Sequence, residues 1–128
     1  MATILGIDWG DRRIGLSRAN DQLRLAEPLT TLESDDDSIE RIKQLVDEEG
    51  ARIVVVGLPR NLDGEETAQS AEVVEFAQKL EEKLQCSVVM QDETLSTKAG
   101  QELAARYPQA GRDSLAATVI LQDYLDSN

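Results

Sequence analysis

Carboxylates are the side chains with which this chain could do chemistry, because it carries 25 Asp and Glu, no histidine and a single cysteine, Cys86. The missing imidazole excludes Ser-His-Asp and Cys-His nucleophile systems. Together with the lone thiol it also excludes a Cys/His zinc site and an internal disulfide. Lys, Tyr and Cys remain as minor acid/base options. Position singles out three acids. Asp8 closes the short apolar run Thr3-Ile-Leu-Gly-Ile-Asp8, Glu93 follows the run Ser87 to Gln91, and Asp113 opens the last helical segment, with Asp123 and Asp126 on its later turns. In open α/β sheets ligands bind beyond the carboxyl ends of parallel strands, where Asp8 and Glu93 would sit. Three carboxylates gathered in one cleft repel one another unless cations are present, and hard oxygen donors favour Mg²⁺ or Mn²⁺. Each acid also has an ordinary use. Asp8 could pair with Arg12 or Arg13, Glu93 could be an exposed strand end, and Asp113 could N-cap its helix. Asp8 has the strongest positional argument, since Gly6-Ile-Asp-Trp-Gly10 puts it at a strand end where Gly10 lets the backbone turn sharply or approach a ligand closely.

The elements that must hold these acids follow from periodicity and punctuation. Residues 3–8 read as a buried strand, 14–18 as a second, and 23–32 as holding a third in which Pro28 implies an edge or a break. Short turns between them imply an antiparallel meander. Asp35-Asp-Asp37 leads into Ile39, Ile42, Leu45 and Val46 at helical spacing up to Gly50, so the acidic run is expected at a solvated helix start. Arg52-Ile-Val-Val-Val-Gly57 reads as a central parallel strand buried on both faces. After a loop over 58–66, Val73, Phe76, Ala77, Leu80 and Leu84 recur on one helical face. Residues 87–91 form a fifth strand and a helix runs from about Ser96 to Arg106. Tyr107-Pro-Gln-Ala-Gly111 breaks it, and a mostly apolar helix spans Leu115 to Leu125. The order β-β-β-α-β-α-β-α-α predicts an α/β protein of the ribonuclease-H-like kind, a five-stranded mixed sheet with helices on both faces.

A length of 128 residues suits one domain spanning 1–128, and 41% hydrophobic with 30% charged residues is the profile of a folded chain. No apolar run reaches the length of a membrane span. The N-terminus has neither a basic start nor a long apolar stretch, so no signal peptide is expected; the expected location is the cytoplasm, with no membrane partner. The net charge of −12 argues against a tight non-specific grip on nucleic acid unless bound metal and a local basic patch offset it.

Four segments, considered together, resemble the YqgF/RuvX family, the Holliday-junction-resolvase-like group of ribonuclease-H-fold proteins also named as candidate pre-16S rRNA nucleases. They are Gly6-Ile-Asp-Trp-Gly-Asp-Arg-Arg-Ile-Gly15, Val56-Gly-Leu-Pro-Arg-Asn-Leu-Asp-Gly64, Asp92-Glu-Thr-Leu-Ser-Thr97, and Asp113-Ser-Leu-Ala-Ala117 followed by Ile120-Leu-Gln-Asp-Tyr-Leu125. The resemblance implies a metal-dependent nuclease whose catalytic and metal-holding residues are Asp8, Glu93 and Asp113. Two divalent ions, Mg²⁺ or Mn²⁺, would stand about 3.5–4 Å apart, one activating water and the other stabilising the leaving oxygen. Asp8, on the rigid sheet, would be the bridging ligand. The Gly57-Leu-Pro loop with Asn61, Asp63 and Gly64 resembles the family's substrate-side loop, although a turn needs Pro and Gly in any case. Two departures take positive charge off that face: Thr94 stands where the family usually has arginine, and the connection 107–112 is short. Arg12, Arg13, Arg60, Asn61, Lys98 and Arg112 remain as candidates for substrate binding, with Arg106 nearby.

The substrate implied is nucleic acid, either the 5′ end of pre-16S rRNA in ribosome biogenesis or a four-way DNA junction in recombination and repair. RNA presented by a ribosomal particle suits weak basic character better than naked duplex. A junction resolvase usually needs a homodimer, whereas RNA trimming can be done by a monomer. A non-catalytic ribosome-maturation factor is the alternative outside enzymes. An actin/Hsp70-like ATPase is disfavoured, since that fold needs two large lobes and 128 residues supply at most one.

Overall fold

β1 (Thr3–Trp9), β2 (Arg13–Asn20) and β3 (Ala26–Glu33) form the expected antiparallel meander in the computed structural model, which describes residues 2–59, 67–93 and 97–127. The third strand starts later than its apolar content implies. Asn20 Oδ1 accepts from the backbone N–H groups of Gln22 and Leu23, and Arg24 takes a left-handed φ of 52°, so Leu23 and Leu25 lie exposed in the turn. Pro28 sits where the missing donor costs least. β3 is the sheet edge, and the β2–β3 register slips between Leu16 and Ser17, opposite Pro28.

β4 (Ala51–Leu58) runs parallel to both β1 and β5 (Ser87–Asp92), giving the sheet order β3-β2-β1-β4-β5. Val54, Val55 and Val56 are fully buried, as a β-branched strand covered on both faces must be. α1 (Ser38–Glu49) and α2 (Ala68–Lys83) cover one face, where Ile42, Val73 and Leu80 pack on Leu5, Ile7, Val54 and Val56. Gly50 stops α1 in the left-handed region at φ 65°, and Thr67 with Ser70 makes a capping box at the start of α2. On the opposite face Ile120, Leu121 and Leu125 of α4 (Arg112–Ser127) pack on Ile4, Ala19 and Val55, and α3 (Thr97–Arg106) leans on α4. Among the described residues, no helix is long and apolar enough to cross a membrane.

α4 begins three residues before the apolar pattern that predicts it. Its first turn, Arg112 and Asp113, is polar and leaves no periodic signal, while the Gly111 carbonyl accepts from the Leu115 N–H and the Ser114 hydroxyl. Asp113 is therefore inside the first turn rather than at the N-cap, where the helix dipole still favours a carboxylate.

Candidate functional site

Strand alternation decides which face each acid joins. Leu5 and Ile7 enter the core under α1 and α2, so Ile4, Gly6 and Asp8 point to the α4 side. Glu93 leaves the end of β5 with its N–H donating to the Leu58 carbonyl at 3.0 Å. A Cβ placed on Gly57 would lie 3.3 Å from Glu93 Cγ, so the glutamate chain passes over β4 at its glycine and reaches β1, where it hydrogen-bonds Asp8. Gly15 stands opposite Asp8 in the β1–β2 register, and a Cβ there would be only 1.9 Å from the Asp113 carbonyl oxygen. The first turn of α4 thus rests directly on Gly15. Gly6 completes the seat, since its Cβ would collide with Ser17 Oγ at 2.4 Å and Leu121 Cβ at 2.8 Å. Ser17 Oγ fixes the helix by donating to the Ala117 carbonyl at 2.7 Å.

The seat was not among the residues sequence reasoning proposed. Glycines at 6, 15 and 57, each inside a strand of otherwise large or β-branched residues, were its available signal, because a strand glycine often marks a close backbone approach. Gly10 is used more modestly than expected. Its hypothetical Cβ lies 2.8 Å from the Arg13 carbonyl, so it serves the tight β1–β2 turn.

Electrostatics mark Asp8 as the strained member. Its pKa is pushed from 3.8 up to about 8, first by burial, then by the charge and hydrogen bond of Glu93 and by the charge of Asp113, with Arg112 opposing them. Asp8 therefore keeps its proton near neutral pH, hydrogen-bonded to Glu93. Arg13, offered as a partner for Asp8, instead stands with its Nε 3.5 Å from Asp113 Oδ2. Among the described residues, no group of three or more His, Cys, Asp or Glu is arranged to hold a metal ion as it stands. The donor chemistry nevertheless fits a hard divalent cation. Asp8, Glu93 and Asp113 offer only carboxylate oxygens, and the repulsion that raises the Asp8 pKa is what a cation would relieve.

The fold brings Asp8, Glu93 and Asp113 to one place, with Arg13 and Arg112 beside them. Arg12 is exposed in the β1–β2 turn, its carbonyl accepting from the Ser34 N–H at 2.9 Å, and Lys98 is exposed in the first turn of α3. Arg106 ends α3. Arg60, Asn61, Asp63, Gly64 and Thr94 lie outside the described residues. Asp123 and Asp126 do not join the site. They occupy the far end of α4, where Asp126 accepts from Gln122 and the Leu125 carbonyl accepts from Arg24 of the β2–β3 turn.

A family model described as RuvX, Holliday junction resolvase, matches residues 2–127. A protein of Chloroflexus aggregans named "Putative pre-16S rRNA nuclease" is 40% identical, the alignment covering 98% of this chain and 94% of that protein. One of the same name from Thermoanaerobacter pseudethanolicus is 35% identical over 97% of this chain and 96% of its own length. Among solved structures, T. thermophilus RuvC in complex with Holliday junction substrate superimposes with a TM-score of 0.68 at 14% identity, covering 99% of this chain and 95% of that one. The Fowlpox virus resolvase in its junction complex gives 0.62 at 9% identity, covering 98% and 97%. At these identities the likeness concerns the fold, which is ribonuclease-H-like, as the order of elements predicts.

Proposed function

Because this chain belongs to the RuvX family of Holliday junction resolvases, we propose that residues 1–128 form a single metal-dependent nuclease domain that hydrolyses phosphodiesters at the 5′ end of pre-16S rRNA in the cytoplasm. The observation that carries this reading is the convergence of Asp8, Glu93 and Asp113 at the carboxyl end of the parallel strands, with Arg13 and Arg112 at its rim. The names of the full-length relatives support the RNA substrate.

Asp8, Glu93 and Asp113 would hold a divalent cation, Mg²⁺ or Mn²⁺, which when bound supplies activated water and charge stabilisation for cleavage. The residues themselves do the rest. Asp8 is fixed by its place in the middle strand of the sheet, and the burial and carboxylate repulsion that raise its pKa are what a bound cation would offset. The seat on Gly15 holds Asp113 in reach. Arg13 and Arg112 are placed to take a substrate phosphate, Arg13 exchanging its exposed pairing with Asp113 for that contact. No protein general base is required, which accords with a chain lacking histidine.

The test is one Mg²⁺-dependent cleavage assay offering both a 5′-extended 16S rRNA fragment and a four-way DNA junction, with Asp8→Asn as the control. Cleavage of the RNA by the parent and none by the folded variant is expected. Preference for the junction would transfer the chain to DNA resolution. Equal cutting by parent and Asp8→Asn would remove these acids from catalysis, and no cutting of either substrate would favour a binding role in ribosome maturation.

A further inference from the structure

A second cavity of about 500 Å³ lies beside the acidic site, and none of the chemistry above uses it. Thr30 and Thr31 of β3 form one wall, Arg106, Tyr107 and Gln109 the other, and Ser114 of α4 closes the end. In a chain of net charge −12, no acidic side chain among the described residues lines it, and Arg106 is the one charged group among them. By contrast, Asp35, Asp36, Glu72 and Glu75 line the groove beside Trp9.

The lining offers what a nucleobase needs. Tyr107 contributes a half-buried aromatic ring, the kind of side chain on which any base can stack. The Thr31 hydroxyl and the Gln109 amide pair donors with acceptors, as the edge of a base does. β3 is the edge of the sheet, so its outward backbone groups have no neighbouring strand to satisfy them. Position supplies the remaining argument. Thr31 pairs with Gly15 in β2, and Gly15 pairs with Asp8 in β1, which separates the cavity from the acids by two strand spacings, about 10 Å. Ser114 directly follows Asp113, and a Cβ on Gly111 would lie 3.8 Å from Thr31 Oγ1. Cavity and acids therefore share one helix start.

We propose that this cavity is a subsite for one unpaired nucleobase of the substrate, close in sequence to the linkage cut at Asp8, Glu93 and Asp113. The inference rests on the nuclease reading and narrows its substrate to strands that are single or locally unpaired. A base inside a continuous duplex would have to leave its stack to enter. Tyr107 stacks the base, Thr31 and Gln109 meet its edge, and Arg106 takes the adjoining phosphate.

The test uses the full chain carrying Asp8→Asn, so that nothing is cut, and single-stranded RNA from the 16S 5′ flank with 2-aminopurine placed at successive positions. A fluorescence change confined to one or two positions is expected. Tyr107→Ala should abolish it and weaken binding about tenfold, the usual worth of one stacked base. Tyr107→Phe should keep both signal and affinity, and Gln109→Ala, at an exposed position, serves as a second lesion should Tyr107→Ala fail to fold. Binding without position dependence, unchanged by Tyr107→Ala and Gln109→Ala, overturns the subsite. So does equal competition by a fully paired duplex. If the chain with Asp8 intact cuts RNA while Tyr107→Ala leaves KM unchanged, the subsite falls and the nuclease reading stands. If the RNA is neither cut nor bound, both fall.

Discussion

Gly15→Ala should disarm the site from beneath, because the added methyl group meets backbone and not a movable side chain. Its Cβ would stand 1.9 Å from the Asp113 carbonyl oxygen, 2.2 Å from its carbonyl carbon and 2.8 Å from the Ser114 nitrogen. Ordinary contact begins at 3.4 Å, so the start of α4 must retreat by about 1.5 Å. Overpacking of this kind costs about 1–3 kcal/mol, and a rigid helix start in the way puts Gly15→Ala at the upper end. The retreat carries Asp113 away from Asp8, and a misplacement of about 1 Å at a reacting centre costs on the order of 100-fold in rate. Gly57→Ala is the internal control. Its nearest obstacle is the tip of Ile120, Cδ1 at 2.4 Å, which can change rotamer, with Glu93 Cγ at 3.3 Å. It should cost about 1 kcal/mol and a much smaller share of the rate. Urea unfolding and Mg²⁺-dependent cleavage of all three proteins provide the measurement. A Gly15→Ala protein with parental stability and rate, or one less impaired than Gly57→Ala, would refute the glycine seat.

Two further outcomes follow from the charges. The folded Asp8 carboxyl holds its proton up to about pH 8 while the unfolded one releases it near 3.8, so the folded state binds more protons between those values. Without divalent cations the parent should therefore lose stability, by on the order of a few kcal/mol, as pH rises from about 4 through 8; Asp8→Asn should show no such loss in urea melts with EDTA. A parent as stable at pH 8.5 as at pH 5 would contradict the raised pKa of Asp8. For the rim, Arg13→Ala and Arg112→Ala should each lower the slope of log binding constant against log salt by about 1, measured with the single-stranded RNA. Arg13→Ala should change stability by less than about 1 kcal/mol, since its pairing with Asp113 is exposed.

Apolar spacing made some elements legible in advance and left others silent. The valines of β4 and the Val73–Leu84 stripe of α2 announce a buried strand and the helix that covers it, because burial alone decides those residue types. The first turn of α4 announces nothing, since Arg112 and Asp113 face the site and solvent; its start therefore had to be found in the Gly111 carbonyl bonds. Leu23 and Leu25 mislead in the opposite direction. They look like strand residues, but Asn20 Oδ1, accepting from the Gln22 and Leu23 N–H groups, and the left-handed Arg24 hold this stretch in a turn. The acids were legible as strand ends and a helix start. Their convergence was not, because it depends on Gly15 and Gly57, and a glycine in a strand says that something comes close without saying what.

Net charge is a poor guide to how such a chain meets a polyanion, and the fold shows why. Asp35, Asp36, Glu40, Asp47, Glu72, Glu75 and Glu81 belong to α1, α2 and the turn before α1, all on the face of the sheet away from α4. Arg12 in the β1–β2 turn, Arg13 at the start of β2, Lys98 and Arg106 of α3 and Arg112 at the start of α4 lie on the other side, where Asp11, Glu102, Asp123 and Asp126 are the acids outside the site on the same turn and helices. At physiological salt the Debye length is about 8 Å, less than the thickness of a sheet with a helix layer on it. A phosphate arriving beside α4 therefore senses the arginines and the site acids far more than the acids behind the sheet. Those distant acids act earlier, during approach, where they disfavour orientations that present α1 and α2 to the polyanion. The consequence is kinetic: Glu72→Gln with Glu75→Gln should speed association at low salt, leave the dissociation rate unchanged, and lose that effect at high salt in stopped-flow binding. A changed dissociation rate would mean that the α2 face touches the nucleic acid, contrary to an approach led by α4.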